Sequence, residues 1–210
     1  MTIDVLLTGF APFGGELENP SWEAVRRAAP MLRDRGVAVQ DVELPVEFGR
    51  AGDLLETAVR EHRPGLVIAT GVAAGRTAIT PERVAINIRD ARIPDNAGAA
   101  PIDEPVITGG PVAYFTDLPI KAMVAALSAE AIPASVSQTA GTYVCNDVFY
   151  RLQHLAATGT GAAGAIRGGF VHVPSTDAVD VGVAAAGLAR LTEVALGSPS
   201  DVRVSGGALH

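Results

Sequence analysis

The sequence predicts an α/β fold, a three-layer α/β/α sandwich around a largely parallel, mixed sheet, formed by a single domain over residues 1–210. Short apolar runs alternate along the chain with segments whose apolar residues recur at helical spacing. These runs end in glycine or turn residues, which is typical of buried parallel strands. With 210 residues, of which 48% are apolar, the chain can bury roughly 70% of its unfolded surface without a disulfide or a structural metal.

The predicted elements follow one another in this alternation. Apolar runs predict strands at 3–8, 37–44, 66–70, 133–138 and 170–173, and the alternation at 84–90 favours a further strand. Helical spacing predicts helices that begin after Asn19-Pro20 and that span 52–62, 118–129, 146–157 and 177–196. Asn19 is expected to cap the first helix. The rest of 71–115 is expected to be irregular, and the small, polar tail at 197–210 to be mobile.

Charge and composition exclude several classes of partner. The chain carries 16 Lys+Arg against 23 Asp+Glu, a formal charge of −7, whereas nucleic-acid binding usually requires a basic excess. The N-terminal segment lacks the basic region and the long apolar run of a signal peptide. The apolar stretch near 181–188 is too short to span a bilayer. We therefore expect a cytoplasmic protein that binds neither nucleic acid nor membranes.

Cysteine, histidine and glycine patterns limit the chemistry further. The single cysteine, Cys145, cannot form an internal disulfide or a zinc site built from several thiolates. The four histidines lie far apart, and no clustered metal ligands occur, so no metal site is predicted. The G-x-G-x-x-G pattern at 159–164 follows a predicted helix instead of a strand, which favours a linker over a dinucleotide site.

Cys145 is a candidate nucleophile because of its position directly before a predicted helix. The positive end of the helix macrodipole favours a thiolate, and the free backbone N–H groups of a first turn can hold an oxyanion. The alternative is a buried structural cysteine, which is what most lone cysteines are.

His172 is a candidate base for this thiol. It lies at the carboxyl end of a predicted strand and shares one face with Phe170, so it can serve a nucleophile on a neighbouring strand. A histidine satisfied by the backbone at the rim of the core is the alternative. A carboxylate is needed to orient the imidazole, and spacing alone does not choose among Glu82, Asp90, Asp95, Asp103 and Asp147.

Three segments together resemble one family, that of pyroglutamyl-peptidase I, also called pyrrolidone-carboxylate peptidase. They are GVAAGRTAITPERVAIN at 71–87, IPASVSQTAGTYVCN at 132–146 and GFVHVP at 169–174. The segments TGFAPFGG at 8–15, NPSW at 19–22 and DARIPDN at 90–96 are also similar to the family. The likeness runs in order from about residue 4 to residue 195.

The resemblance implies a cysteine exopeptidase, an omega peptidase that removes an N-terminal pyroglutamyl residue through a thioester. It implies that Cys145 is the nucleophile, His172 the base and acid, and Glu82 the orienting carboxylate. It also implies no metal or organic cofactor, N-terminally pyroglutamylated peptides as substrates, and a homodimer or homotetramer.

The resemblance also implies a pocket for the lactam ring. Its binding residues are Phe10, Phe13, Asn19, Val72, Ile93, Tyr143 and Val144, and it places Arg92 near the reacting carbonyl. The ring is small, flat and uncharged, so aromatic walls and a few amide partners suit it. The phenylalanines could instead pack as core, and Asn19 could act only as a helix cap. Many relatives have Gln at Val72, Phe at Tyr143 and a small polar residue at Val46.

Two other functions remain open on the sequence. The first is an α/β protein that binds a small molecule or peptide without turnover, which needs the pocket but no reactive thiol. The second is a cysteine hydrolase of another small lactam or amide.

Overall fold

The computed structural model describes residues 3–159 and 166–207, and its architecture is the α/β fold that the sequence predicts. The strands of the described part are β1 (Val5–Phe10), β2 (Val39–Leu44), β3 (Leu66–Val72), β4 (Thr80–Pro81), β5 (Val84–Ile86), β6 (Ala113–Phe115) and β7 (Arg167–Val173). The helices are α1 (Pro20–Asp34), α2 (Arg50–His62), α3 (Ile120–Ala129), α4 (Val144–Thr158) and α5 (Val181–Gly197).

The main sheet is mixed, with five strands in the order β2-β1-β3-β7-β4. Strand β1 pairs in parallel with β2 and with β3, and β3 pairs in parallel with β7. The short strand β4 pairs antiparallel with β7. Strands β5 and β6 form a separate antiparallel pair.

Helices cover both faces of this sheet. Successive residues of a strand point to opposite faces, so Leu7 and Ile68 pack in a core with α1, α3 and α5. Their neighbours Leu6 and Val67 pack in a second core with α2 and α4. Burial on both faces explains why the parallel strands are continuous apolar runs, and it gives the three layers of the fold.

Parallel strands bring their carboxyl ends to one edge of the sheet. Strands β1, β3 and β7 end there at Phe10, Val72 and Val173. Ligands of open α/β sheets bind outside this edge, which directs attention to the loops that follow these three strands.

The predicted strand at 133–138 is wrong, because the segment forms only isolated bridges with the chain around β4. Ile79 pairs with Ala134 and Glu82 with Ser137, in one register. Between them, the carbonyl of Pro81 accepts from the N–H of Ser137 at 3.0 Å, but a proline has no N–H to donate in return. The ladder is therefore interrupted at Pro81.

Other predicted boundaries shift by a few residues. Helix α4 begins at Val144, two residues earlier than predicted, so Cys145 lies inside its first turn. The strand predicted at 84–90 is limited to β5, which pairs with β6, a strand in the region predicted to be irregular. Residues 80–81, in the same region predicted to be irregular, form the edge strand β4.

The tail contacts the domain at Asp201 and Gly206, while residues 202–205 between them are exposed. The mobility expected for the tail stays a prediction. The carboxylate of Asp201 accepts hydrogen bonds from the backbone N–H groups of Lys121 and Ala122 at 3.0–3.1 Å. Helix α3 has no side-chain cap of its own, so Asp201 satisfies N–H groups that would otherwise lack a partner. Arg83 donates to the carbonyl of Gly206 at 2.9 Å.

Within residues 3–159 and 166–207, no helix combines the length and the hydropathy required to cross a membrane. The glycine pattern at 159–164 lies, apart from Gly159, outside the described residues.

Candidate active site

Cys145 lies in the first turn of α4, with its sulfur close to the end of β3. A Cβ atom placed on Gly71 would lie only 2.7 Å from the Sγ of Cys145 and 3.0 Å from the Cζ of Phe170. The absence of a side chain at Gly71 therefore makes room for the thiol. The side chain of Cys145 is partly exposed and lines a cavity.

His172 lies beside this position on the neighbouring strand. It is directly opposite Gly71 in the parallel pairing of β3 and β7. The rings of Phe170 and His172 lie on one face of β7, as predicted, with their centroids 4.9 Å apart. Since the position of a Cβ on Gly71 faces both Phe170 and Cys145, the thiol and the imidazole lie on the same face of the sheet.

Glu82 is the carboxylate that contacts the imidazole. Its Oε1 lies 2.7 Å from the Nδ1 of His172, and its side chain is fully buried. The antiparallel pairing explains this placement: Thr80 lies opposite His172, and Glu82, two residues later, points to the same face. The backbone N–H of Glu82 donates to the carbonyl of Phe170 at 2.9 Å.

Other carboxylates that the sequence left open have different partners. The Asp95 side chain accepts from backbone N–H groups, including that of Phe48 at 2.8 Å. Asp147 pairs with Arg89 at 2.6 Å. Asp90 and Asp103 are exposed. Among these candidates, the geometry favours Glu82 as the group that orients His172.

Burial controls the proton affinities of the thiol and the imidazole. Desolvation raises the pKa of Cys145 to about 12, and the charge of Glu82 contributes, while Arg76 and the backbone N–H of Cys145 act in the opposite direction. Desolvation also lowers the pKa of His172, against the attraction of Glu82. Both shifts favour a neutral thiol beside a neutral imidazole over the ion pair.

This charge state differs from the expected thiolate. A helix N-terminus contributes only a fraction of a kcal/mol up to about 2 kcal/mol, whereas removing a charged group from water costs considerably more. The carboxylate at Nδ1 favours the tautomer with its proton on that nitrogen, which leaves Nε2 free to accept the proton of a thiol.

The cavity in front of Cys145 has a volume of about 840 Å³. It includes six of the residues predicted to bind substrate: Phe10, Phe13, Asn19, Val72, Tyr143 and Val144. The rings of Phe13 and Tyr143 form an aromatic wall with centroids 5.7 Å apart. The lining of the cavity also contains carboxylates from the loop after β1 and from α1, together with Arg27 and Asp177.

Asn19 also fulfils its alternative role as a cap. Its Oδ1 accepts from the backbone N–H and the hydroxyl of Ser21 at 3.1 and 2.8 Å. Its amide nitrogen donates to the carbonyl of Ala11 at 2.9 Å. Asn19 thus fixes both ends of the loop that contains Phe13.

The geometry describes a thiol, an imidazole and a buried carboxylate beside an aromatic cavity, which are the parts of a cysteine hydrolase. A family model described as pyroglutamyl peptidase matches residues 3–194. The chain belongs to the pyroglutamyl peptidase family. The resemblance stated from the sequence motifs is thereby confirmed.

Individual members of the family agree with the chain over nearly its full length. A pyrrolidone-carboxylate peptidase of Streptomyces coelicolor is 49% identical over 217 residues, which cover 98% of this chain and 99% of the relative. One of Yersinia pestis is 48% identical over 219 residues, with 98% and 99% covered.

Solved structures of the family share the fold. Pyroglutamyl peptidase I of Bacillus amyloliquefaciens superposes with a TM-score of 0.88 at 40% identity, covering 98% of this chain and all of the other. Pyrrolidone carboxyl peptidase of Thermococcus litoralis gives 0.84 at 33% identity, covering 97% and 100%.

Two predicted pocket residues lie outside the cavity lining. Arg92 and Ile93 are exposed on the loop after β5. This loop is joined to the loop before α4 by hydrogen bonds between Asp90 and Thr142. Their assignment as pyroglutamyl-binding residues stays a prediction.

Two departures from the family pattern have a structural account. The hydroxyl of Tyr143 donates to the carbonyl of Pro94 at 2.9 Å, so it fastens the neighbouring loop while the ring lines the cavity. Val46 is buried and borders the cavity, and its carbonyl accepts from the backbone N–H of Asn96 at 3.0 Å. A Val side chain at this position adds apolar surface to the pocket.

Sequence reasoning missed Arg76, Gly71 and Asn146 as parts of this site. Arg76 donates to Glu82 at 2.6 Å. Asn146 exchanges hydrogen bonds with the backbone of Ile86 at 2.9–3.0 Å, which holds the first turn of α4 against β5. Of these three residues, only Gly71 could have been identified from the sequence, since a glycine in a strand often marks a point where another part of the chain or a ligand comes close to the backbone.

Replacement of Gly71 by alanine should displace the thiol. Its Cβ would overlap the Sγ of Cys145 and crowd Phe170, and a misplacement of about 1 Å can cost on the order of 10²-fold in rate. We expect kcat to fall about 10- to 100-fold while the far-ultraviolet circular dichroism stays unchanged. Gly65→Ala is the control, because a Cβ there is in ordinary contact at 3.7 Å. Full activity of Gly71→Ala would contradict the proximity of Gly71 to a working thiol.

The raised pKa of Cys145 predicts how its alkylation depends on pH. Below the pKa, the thiolate fraction of a thiol increases tenfold per pH unit. The rate constant for iodoacetamide should therefore rise steadily, by about tenfold per unit, between about pH 6 and pH 8. A rate constant that is constant over this range would mean that the free enzyme already contains a thiolate–imidazolium pair.

Proposed function

We propose that Cys145, His172 and Glu82 carry out the hydrolysis by which this chain releases an N-terminal pyroglutamyl residue from peptides. The activity follows from membership of the family, and the observation that supports these roles is the buried contact between Glu82 and His172 on the face to which Cys145 points. The proposal includes no metal or organic cofactor.

Acylation begins with proton transfer. The Nε2 of His172 takes the proton of the Cys145 thiol as Sγ attacks the carbonyl carbon that joins pyroglutamate to the next residue. The carbon–sulfur bond forms, the carbonyl electrons move to oxygen, and Glu82 stabilises the imidazolium. When the tetrahedral intermediate collapses, the carbon–nitrogen bond breaks and His172 gives its proton to the leaving amine.

Deacylation uses the imidazole in the same way, with water in place of the thiol as the group that loses a proton. His172 accepts a proton from water as the water oxygen attacks the thioester carbon, and the carbon–sulfur bond then breaks. The proton returns to sulfur, and pyroglutamate leaves as the free acid. Each step transfers one proton between groups at the site, so no oxidant or further reactant is needed.

The first turn of α4 supplies donors for the oxyanion. The N–H groups at the start of a helix have no carbonyl partner within it. Those in the first turn of α4 belong to Cys145 and its neighbours in sequence, so they are near the attacking sulfur. Donors fixed beforehand stabilise the charge that develops on oxygen. We also propose that Arg92 acts near this oxygen, as the family resemblance implies.

The cavity suits an uncharged ring in contact with aromatic side chains. We propose that Phe10, Phe13, Tyr143 and Val144 surround the lactam, with Asn19, Val72 and Ile93 completing the set. The apolar wall excludes water around the lactam, and the side chains proposed to surround it include no carboxylate to pair with a free N-terminal ammonium. The remaining volume accommodates the first residues of the leaving peptide.

We also propose a domain organisation, a cellular location and an oligomeric state for the protein. Residues 1–210 form one peptidase domain that works in the cytoplasm and assembles as a homodimer or homotetramer. A lone thiol nucleophile fits a reducing compartment, because oxidation would inactivate it.

Replacement of Cys145 by serine tests the nucleophile. Cys145→Ser should fold normally and lose almost all release of fluorophore from a pyroglutamyl amide, because a hydroxyl is a far weaker nucleophile beside the same base. Glu82→Gln should lose about 10²- to 10⁴-fold, because an amide orients the imidazole but does not stabilise its charge.

Asp90→Asn is the matched control for Glu82→Gln, and a prolyl amide is the control substrate. Asp90→Asn should keep the wild-type rate, and a larger loss there than in Glu82→Gln would mean that the orienting carboxylate is misassigned. The prolyl amide should not be cleaved, because its ring carries an ammonium and lacks the lactam carbonyl. A nearly wild-type rate for Cys145→Ser, or equal cleavage of both amides, would overturn the proposal.

A further inference from the structure

Arg76 joins three segments of the active site. Its Nη1 donates to the Oε1 of Glu82 and to the hydroxyl of Thr80, each at 2.6 Å. Its Nη2 donates to the carbonyl of Thr139 at 3.0 Å, in the segment that leads to α4. Arg76 is not among the residues that line the cavity, so its contacts serve the protein and not the ring of the substrate.

Glu82 depends on these contacts. Its Oε1 accepts a hydrogen bond from Arg76 and is also in hydrogen-bond contact with the Nδ1 of His172. Its buried Oε2 has no hydrogen-bond partner among the described residues. A buried carboxylate with only a neutral imidazole beside it is unfavourable, and a cation in hydrogen-bond contact offsets this cost.

The two hydrogen bonds to Oε1 also determine where the carboxylate points. Thr80 is opposite His172 in the sheet, and Arg76 bonds to both Thr80 and Glu82. The planar guanidinium presents its N–H groups in a fixed geometry, which holds the glutamate in the position that meets Nδ1 of His172.

We infer that Arg76 is a positioning residue for catalysis, which acts through Glu82 by pairing with its carboxylate and fixing its orientation toward His172. This inference rests on the proposed function, because it concerns the same three groups. A merely structural tie between loops is the competing explanation, since Arg76 also bonds to Thr139.

The two explanations predict different pH profiles. The charge of Arg76 lowers the pKa of His172 and that of Cys145. Removing the charge therefore raises both pKa values, and the acidic limb of kcat/KM, which requires a neutral base, should move to higher pH. A loss of structure alone would lower the rate by the same factor at every pH.

The test compares Arg76→Gln and Arg76→Lys with wild type on a pyroglutamyl amide. Arg76→Gln should lower kcat on the order of 10- to 100-fold, leave KM within about twofold, and shift the acidic limb upward. Arg76→Lys retains the charge, so its acidic limb should stay near that of wild type although its rate is only partly restored. Arg83→Gln is the control: Arg83 is on the same segment but bonds to Gln138 and Gly206, and its replacement should change kcat by less than about twofold.

A double-mutant cycle separates action through Glu82 from other effects. In a Glu82→Gln background, Arg76→Gln should cost less than about threefold more, because residues that act as a unit are not additive. If Arg76→Gln does not fold, judged by its circular dichroism and Tm, the cycle is run with Arg76→Lys and is expected to show the same lack of additivity.

Three outcomes would overturn the inference: wild-type activity of Arg76→Gln at every pH, a loss without a shift of the acidic limb, or an undiminished loss in the Glu82→Gln background. Wild-type turnover, measured first, tests the proposed function separately. Alkylation of Cys145 at fixed pH adds a readout that does not need turnover, and it should be slower in Arg76→Gln than in wild type.

Discussion

The buried hydrogen bond between Glu82 and His172 is the contact on which the rest of the site depends. It joins residues 90 positions apart, and it exists because a two-residue strand, β4, turns back against the end of β7. An antiparallel edge on an otherwise parallel sheet thus brings a carboxylate to a histidine that a purely parallel arrangement would leave at the open end of its strand.

Packing around this contact leaves little space on the side of the thiol. Gly71 is opposite His172 and lies against the sulfur of Cys145, so the close approach of this sulfur to β3 requires the absence of a side chain at Gly71. Burial favours a neutral thiol and a neutral imidazole. The contact with Arg76 offsets part of the cost of burying the Glu82 carboxylate beside His172.

Much of the site was predictable from the sequence, and the part that was not has physical reasons. The helix start and the strand end identified Cys145 and His172 because both signals are local. Glu82 could not be chosen over the aspartates by spacing, since its partner is far away in the chain, and only the family resemblance singled it out. No sequence pattern indicated Arg76, because its inferred role depends on contacts with the carbonyl of Thr139 and with the buried Glu82, which only the fold brings together.

The differences between the predictions and the structure also have physical reasons that local sequence patterns do not contain. The segment 133–138 has the pattern of a strand, but Pro81 on the facing chain lacks the N–H that a continuous ladder needs. No sequence pattern indicated that Asp201, in the tail, caps a helix that lacks its own side-chain cap. The thiolate expectation considered the helix terminus without the burial around Cys145, which opposes it.

The tautomer of His172 is the most direct test that its Nε2 can accept the proton of the Cys145 thiol. Nitrogen-15 NMR of labelled imidazoles distinguishes a protonated Nδ1 from a protonated Nε2, and the signal of His172 can be assigned by its absence in His172→Gln. Because Glu82 contacts Nδ1, we predict a neutral ring near pH 7.5 with its proton on Nδ1 and a free Nε2. A proton on Nε2 in the resting enzyme would contradict the account, since the thiol would then have no base to accept its proton.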